Sequence, residues 1–172
     1  SINNPNADDF GTWDFLGTED GFPDDYSTNA LAVYEGQLYI GINEDIYRLE
    51  DGLPVLFSDQ NSALGLRYFS TEGDYLLAGY RCVDGGCGNG QVLYLSADAS
   101  GGFLARGCVG RTNYAIEDEA GRIWFGDDWM GFRWIDNIND EFCNTFEINS
   151  PYSQRVWNME VYEDTLWVAA GA

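Results

Sequence analysis

The stretch Asn113-Tyr-Ala-Ile-Glu-Asp-Glu-Ala-Gly-Arg-Ile-Trp-Phe-Gly126 decides the fold. It reads as a strand, an acidic turn closed by glycine, and a second strand, because β-branched and aromatic residues run in short stretches with no sustained helical period. Three other segments share the pattern: Asn29-Ala-Leu-Ala-Val-Tyr-Glu-Gly-Gln-Leu-Tyr-Ile-Gly41, Leu66-Arg-Tyr-Phe-Ser-Thr-Glu-Gly-Asp-Tyr-Leu-Leu-Ala78 and Asn158-Met-Glu-Val-Tyr-Glu-Asp-Thr-Leu-Trp-Val-Ala169. Aligned on the small residues Gly41, Ala78, Gly126 and Ala169, the units lie 37, 48 and 43 residues apart, the repeat length of propeller blades. The long middle spacing is taken up by a cysteine-containing loop at 82–90, an insertion in the second unit.

Working outward, the first unit predicts strands at 29–34, 37–42, 45–49 and 54–57, and the third predicts strands at 112–117, 122–126, 131–135 and 142–148. Four strands per repeat make one blade. The expected fold is therefore all-β, with about three and a half to four propeller blades of four antiparallel strands. The units span approximately 28–62, 63–109, 110–152 and a truncated 153–172, with 1–27 as a lead-in strand and loop. Three full units and half of a fourth do not close a ring, so the chain reads as part of a larger propeller. Its expected partners are the remaining blades of the same polypeptide or other protein subunits covering the open edge. Alternatively, Trp13-Asp-Phe-Leu16 supplies an outer strand to the last unit and closes a four-bladed ring.

Within the units, Glu35-Gly36, Glu72-Gly73, Ala120-Gly121 and Glu163-Asp164 are expected to form the tight turn between the inner strands. Tyr39, Leu76, Trp124 and Trp167 align on the second strand, where a large side chain packs between blades; carbohydrate stacking is the competing role. Asn29, Asn113 and Asn158 stand at the start of the first strand, where their amides can cap the turn.

Charge narrows the function. The chain has 29 acidic residues against 8 basic ones, all arginine, no histidine and a formal net charge of −21. Clustered phosphate contacts need Lys and Arg, so nucleic acid and anionic membrane surfaces are not expected partners. The absence of histidine excludes Ser-His-Asp and Cys-His catalysis and every His-containing metal site. At 45% hydrophobic and 16% aromatic residues the chain is too apolar for a disordered acidic tail. No run approaches a membrane span, so direct insertion of this segment is not expected.

Four cysteines, Cys82, Cys87, Cys108 and Cys143, in a lysine-free acidic chain suggest a secreted protein with disulfides. Three pairings are possible, of which 82–87 and 108–143 are favoured; a four-thiolate zinc site is the rival. Loop aspartates make calcium a possible cofactor, with Asp84 and the following glycines as one cation turn. The paired carboxylates Glu117-Asp118 and Asp127-Asp128, among others, would serve a glycan-active enzyme only if two of them faced each other across a cleft. No catalytic residue is assigned.

The segment Leu16-Gly-Thr-Glu-Asp-Gly-Phe-Pro-Asp-Asp-Tyr26, with Asn29 to Arg48 after it, resembles the two-component regulator propeller repeat. So does Asp118-Glu-Ala-Gly121-Arg-Ile-Trp124-Phe-Gly126, followed by Met130-Gly-Phe-Arg-Trp-Ile-Asp136. The two residues between Asp118 and Gly121 separate the pattern from the sialidase Asp-box, which has one. Departures are Phe22 where that family has Leu, the weak second unit and the cysteine loop. The resemblance implies rings of about seven blades, used as sensor ectodomains or secreted bacterial surface modules in extracellular, cell-surface or periplasmic surroundings.

The leading functional expectation is a non-catalytic recognition or sensor module. Arg67, Arg111, Arg155, Trp129 and Trp157 are its candidate contact residues, the arginines as anchors for a carboxylate or sulfated glycan. A structural subunit of a surface complex or filament is the alternative, and a glycan-active enzyme comes third.

Overall fold

The computed structural model of the protein describes residues 17–24, 27–60, 64–82, 90–104, 107–146, 155–163 and 165–170. A 3-10 turn, Thr18–Asp20, leads into β1 (Thr28–Tyr34), β2 (Gln37–Ile42), β3 (Asp45–Glu50) and β4 (Leu53–Ser58), which form the first antiparallel sheet in chain order. The second sheet is β5 (Leu64–Ser70), β6 (Leu76–Cys82), β7 (Gln91–Leu95) and β8 (Gly101–Phe103). The third is β9 (Thr112–Glu117), β10 (Ile123–Asp127), β11 (Gly131–Ile135) and β12 (Asn144–Phe146), and β13 (Val156–Tyr162) pairs with β14 (Thr165–Ala170) to begin a fourth. The protein is all-β, with four-stranded blades in a propeller-like arrangement, and none of these sheets closes on itself. The Cys82–Cys87 bridge, the cation turn at Asp84 and ring closure by Trp13–Leu16 fall outside the described residues.

The register explains the repeat and corrects its alignment. In every blade the first two strands carry a one-residue bulge near the start of the first strand, at Asn29, Arg67, Asn113 and Trp157. Just beyond it, Ala30 pairs with Gly41, Tyr68 with Gly79, Tyr114 with Gly126 and Asn158 with Ala169. Gly79, not Ala78, is thus the equivalent of Gly41 and Gly126, and Leu77, not Leu76, the equivalent of Tyr39, Trp124 and Trp167. The alignment on sequence slipped by one because Ala78 and Gly79 are both small; the pairing of Tyr68 with Gly79, matching that of Ala30 with Gly41, identifies the true equivalent. In the first blade the tight turn forms as expected, with Glu35 at φ 49° and Gly36 at φ 74°. Likewise, Asn158 is one residue past the bulge occupied by Asn29 and Asn113.

Consecutive blades bury three like junctions. Tyr34 and Tyr39 of the first blade meet Phe69, Leu76 and Ala78 of the second. Leu77 of the second meets Ala115, Ile123 and Phe125 of the third. Ile116 and Trp124 of the third meet Met159, Leu166 and Val168 of the fourth. The glycine paired with the residue after the bulge lets the next blade approach: a Cβ on Gly41 would run into Leu66 Cδ2, and one on Gly126 into Val156 Cγ1. The residues expected to pack between blades do so, except Trp167, which is exposed.

Candidate functional site

The bulge end of the blades gathers the polar chemistry. At the first junction the Asn43 carbonyl accepts the Leu66 N–H at 2.9 Å. At the second, Arg81 at the end of β6 donates to Asn113 Oδ1 at 3.0 Å and to Asp128 Oδ2 at 2.8 Å. At the third, the Asn113 amide donates to the Val156 carbonyl at 2.7 Å, and also to Asp128 Oδ1 at 2.6 Å. Each blade therefore reaches across this end to hold the start of the next inner strand. We call it the mouth end.

Asp127 fixes the mouth of the third blade. Its carboxylate is fully buried and accepts the N–H groups of Trp129 at 2.7 Å, Met130 at 2.8 Å and Gly110 at 3.0 Å. These donors come from the turn after β10 and the segment before β9, so one carboxylate sets the position of Arg111 and Trp129. The Asp128 N–H also donates to the Arg111 carbonyl at 3.1 Å.

All five candidate contact residues flank this end. Arg67 and Trp157 are bulge residues, Arg111 and Arg155 precede β9 and β13, and Trp129 lies in the turn between β10 and β11. Trp129, Trp157 and the three arginines are exposed. The structure does not bring them all to one cavity. Arg67, with Arg81, Thr112 and Asn113, lines an open recess of about 280 Å³; the other four lie outside it. Arg81 and Thr112 were missed in the sequence, and Asp128 was read there only as half of a carboxylate pair. The available signal was position, because Asn43, Arg81 and Asp128 each stand two residues after the glycine that ends the inner hairpin.

The arginines differ in what holds them. Arg48 is paired with Glu50, Arg81 with Asp128 and Arg122 with Asp118. Arg67 and Arg111 take part in no ion pair among the described residues. In the recess, Arg81 is paired with Asp128 while Arg67 has no ion-pair partner among the described residues.

The opposite, turn end holds a second groove of about 250 Å³, lined by Asp118, Arg122, Trp124, Val161 and Leu166 among others. Its polar groups satisfy one another. Asp118 accepts the Ala120 and Arg122 N–H groups at 2.9 and 3.0 Å, Arg122 Nε at 2.9 Å and the Trp124 indole N–H at 2.8 Å. Burial pushes the Asp118 carboxyl up, but the bonds from Trp124, Arg122 and Ala120 outweigh it and hold the group below its ordinary value. Adjacent Glu117 goes the other way, raised chiefly by burial against a bond from the Tyr75 N–H. The spacing of aspartate, glycine and tryptophan is thus a structural clasp.

Cys108 and Cys143 stand as free thiols in this structure, where the expected 108–143 disulfide is not formed. The two side chains are brought together, however, and burial with a hydrogen bond to Cys143 pushes the Cys108 thiol up to about 12. Cys143 also sits 3.7 Å from the Gly107 carbonyl, which Arg133 holds by a 2.9 Å hydrogen bond. No group of three or more Cys, Asp or Glu side chains among the described residues could hold a metal ion. No helix among them is long and apolar enough to cross a membrane. No family model, curated protein or solved structure matches the chain.

Proposed function

We propose that this protein is a non-catalytic recognition module of the two-component regulator propeller kind, working outside the cytoplasm and binding an anionic ligand at the mouth end of its blades. The observation that carries this reading is Arg67, unpaired among the described residues and set beside Arg81 over an open recess. A guanidinium in that setting offers a planar pair of donors to a carboxylate or sulfate, and the exposed Trp129 at the same end offers a stacking face to a sugar ring. The Asp127–Asp128 pair does not support hydrolysis. Asp127 is consumed by backbone N–H groups and Asp128 by Arg81 and Asn113, leaving neither to act on a substrate.

Calorimetric titration with citrate and with a sulfated disaccharide tests this. The expected result is binding by one of the two that weakens at least tenfold in Arg67→Ala and declines with added salt. Binding that is indifferent to Arg67 would contradict the proposal.

A further inference from the structure

We propose that Cys143 and Cys108 form a reversible thiol exchange site, in which Cys143 attacks a small-molecule disulfide and Cys108 completes the exchange, closing a cross-link that latches the outer strand of the third blade. The surroundings of the two sulfurs point to it. Cys143 directly precedes β12, and its thiol donates to the Gly107 carbonyl at 3.7 Å, against the residue next to Cys108. Cys108 is fully buried in the cluster of Val109, Ile123 and Ile135, and the partly exposed Cys143 packs on that same cluster. Leu77 and Val92 of the second blade and Phe125 of the third complete it, so both walls around the pair belong to the described residues.

Arg133 supplies the cation. From β11 it donates to Cys143 Sγ at 3.8 Å as well as to the Gly107 carbonyl at 2.9 Å. Its Nε is buried with no acceptor, and it makes no ion pair among the described residues. A guanidinium held in this way steadies negative charge on the sulfur it faces. Access and the cation both belong to Cys143. Burial, which pushes the Cys108 thiol up to about 12, makes that sulfur the poorer first attacker and leaves it the second step.

The exchange balances. Cys143 gives up its proton and bonds to one sulfur of the disulfide, whose S–S bond breaks and releases one half as a thiol carrying that proton. Cys108 then gives up its proton and bonds to Cys143 Sγ, expelling the second half as another thiol. Two protein thiols are oxidised, one small disulfide is reduced, and excess small thiol runs both steps backwards. The cross-link joins the connection ahead of β9 to the start of β12, a strand of three residues held by three pairings to β11. It differs from the standing disulfide expected from the sequence, because the reduced pair is a folded state of its own, with both thiols engaged in hydrogen bonds.

The test is to hold the native protein in a series of oxidised and reduced glutathione mixtures, quench with acid, alkylate and map the cysteines by mass spectrometry. The expected result is a 108–143 cross-link that forms in the oxidised mixtures and reopens in excess reduced glutathione. Closing it raises the melting temperature by about 10 °C. Cys108→Ser stops at the first step, with one glutathione on Cys143, and adding Arg133→Gln slows that capture severalfold. Cys143→Ser leaves Cys108 unmodified. Should either substitution at a cysteine prevent folding, the parent series decides alone. Thiols that stay reduced in every mixture, a cross-link that excess glutathione does not reopen, pairing of either sulfur with Cys82 or Cys87, or glutathione on Cys108 in Cys143→Ser overturns the proposal.

Discussion

The two ends of the third blade put the same side chain to different uses. At the turn end, Asp118 takes its donors from Ala120, Arg122 and Trp124, all within six residues of itself. At the mouth end, Asp127 draws on Gly110, 17 residues earlier, as well as on its own turn, and next to it Asp128 holds Arg81 of the second blade. One aspartate folds a hairpin. The other positions connections between elements, with the blades joined beside it. The mouth is therefore rigid where its backbone is pinned, and its exposed cations, Arg67 and Arg111, project from a fixed frame. Such pre-organisation favours recognition, because less ordering is left to the ligand.

The largest effect is expected of Asp127→Ala. It leaves three backbone N–H groups without their acceptor in a buried site and is expected to cost about 3 kcal/mol in urea denaturation. Asp118→Ala should cost less, about 1 kcal/mol, since its donors can turn to water. Equal costs would mean that the two ends are not built differently. Gly126→Ala comes between them, at about 1–3 kcal/mol, because the added methyl collides with Val156 across a junction.

A finer test uses pH. The folded-state value of Glu117 is raised by burial, so the fold favours its protonated form, and stability is lost as pH climbs from the ordinary glutamate value through the raised one. Glu117→Gln should therefore be more stable than the parent at neutral pH, with the gain vanishing in acid. Asp118, held below its ordinary value, works oppositely: its contribution is present above the ordinary aspartate value and disappears as pH falls through the lowered one. Thermal melts of the two variants against pH should diverge in these opposite senses. The smallest stability effect belongs to Arg67→Ala, within about 0.5 kcal/mol as for other exposed sites, although ligand binding should suffer most there.

The blades were legible in the sequence because strand, acidic turn and strand recur with a small residue at the end of each unit. The register of the second blade was not, since Ala78 and Gly79 are both small and only the pairing of Tyr68 with Gly79 shows which of them is the equivalent of Gly41. The bulges leave little composition signal: Asn29 and Asn113 match, but Arg67 and Trp157 fill the same position with different chemistry. For the same reason Arg67 could be proposed as a contact residue from charge alone, whereas Arg81 emerges only once β6 is seen to end beside β9. The Cys108 and Cys143 side chains were expected to meet and do, as thiols.

The most direct test of the mouth as the binding end is to follow the arginine side-chain Nε–Hε signals by NMR while titrating the anion that the calorimetry selects. The account predicts that Arg67 and Arg81 shift together and saturably, while Arg48 and Arg122, each paired away from the recess, stay in place. Shifts confined to Arg122 would put binding at the turn end, and equal drift of all eight would show only a salt effect. Either result would contradict it.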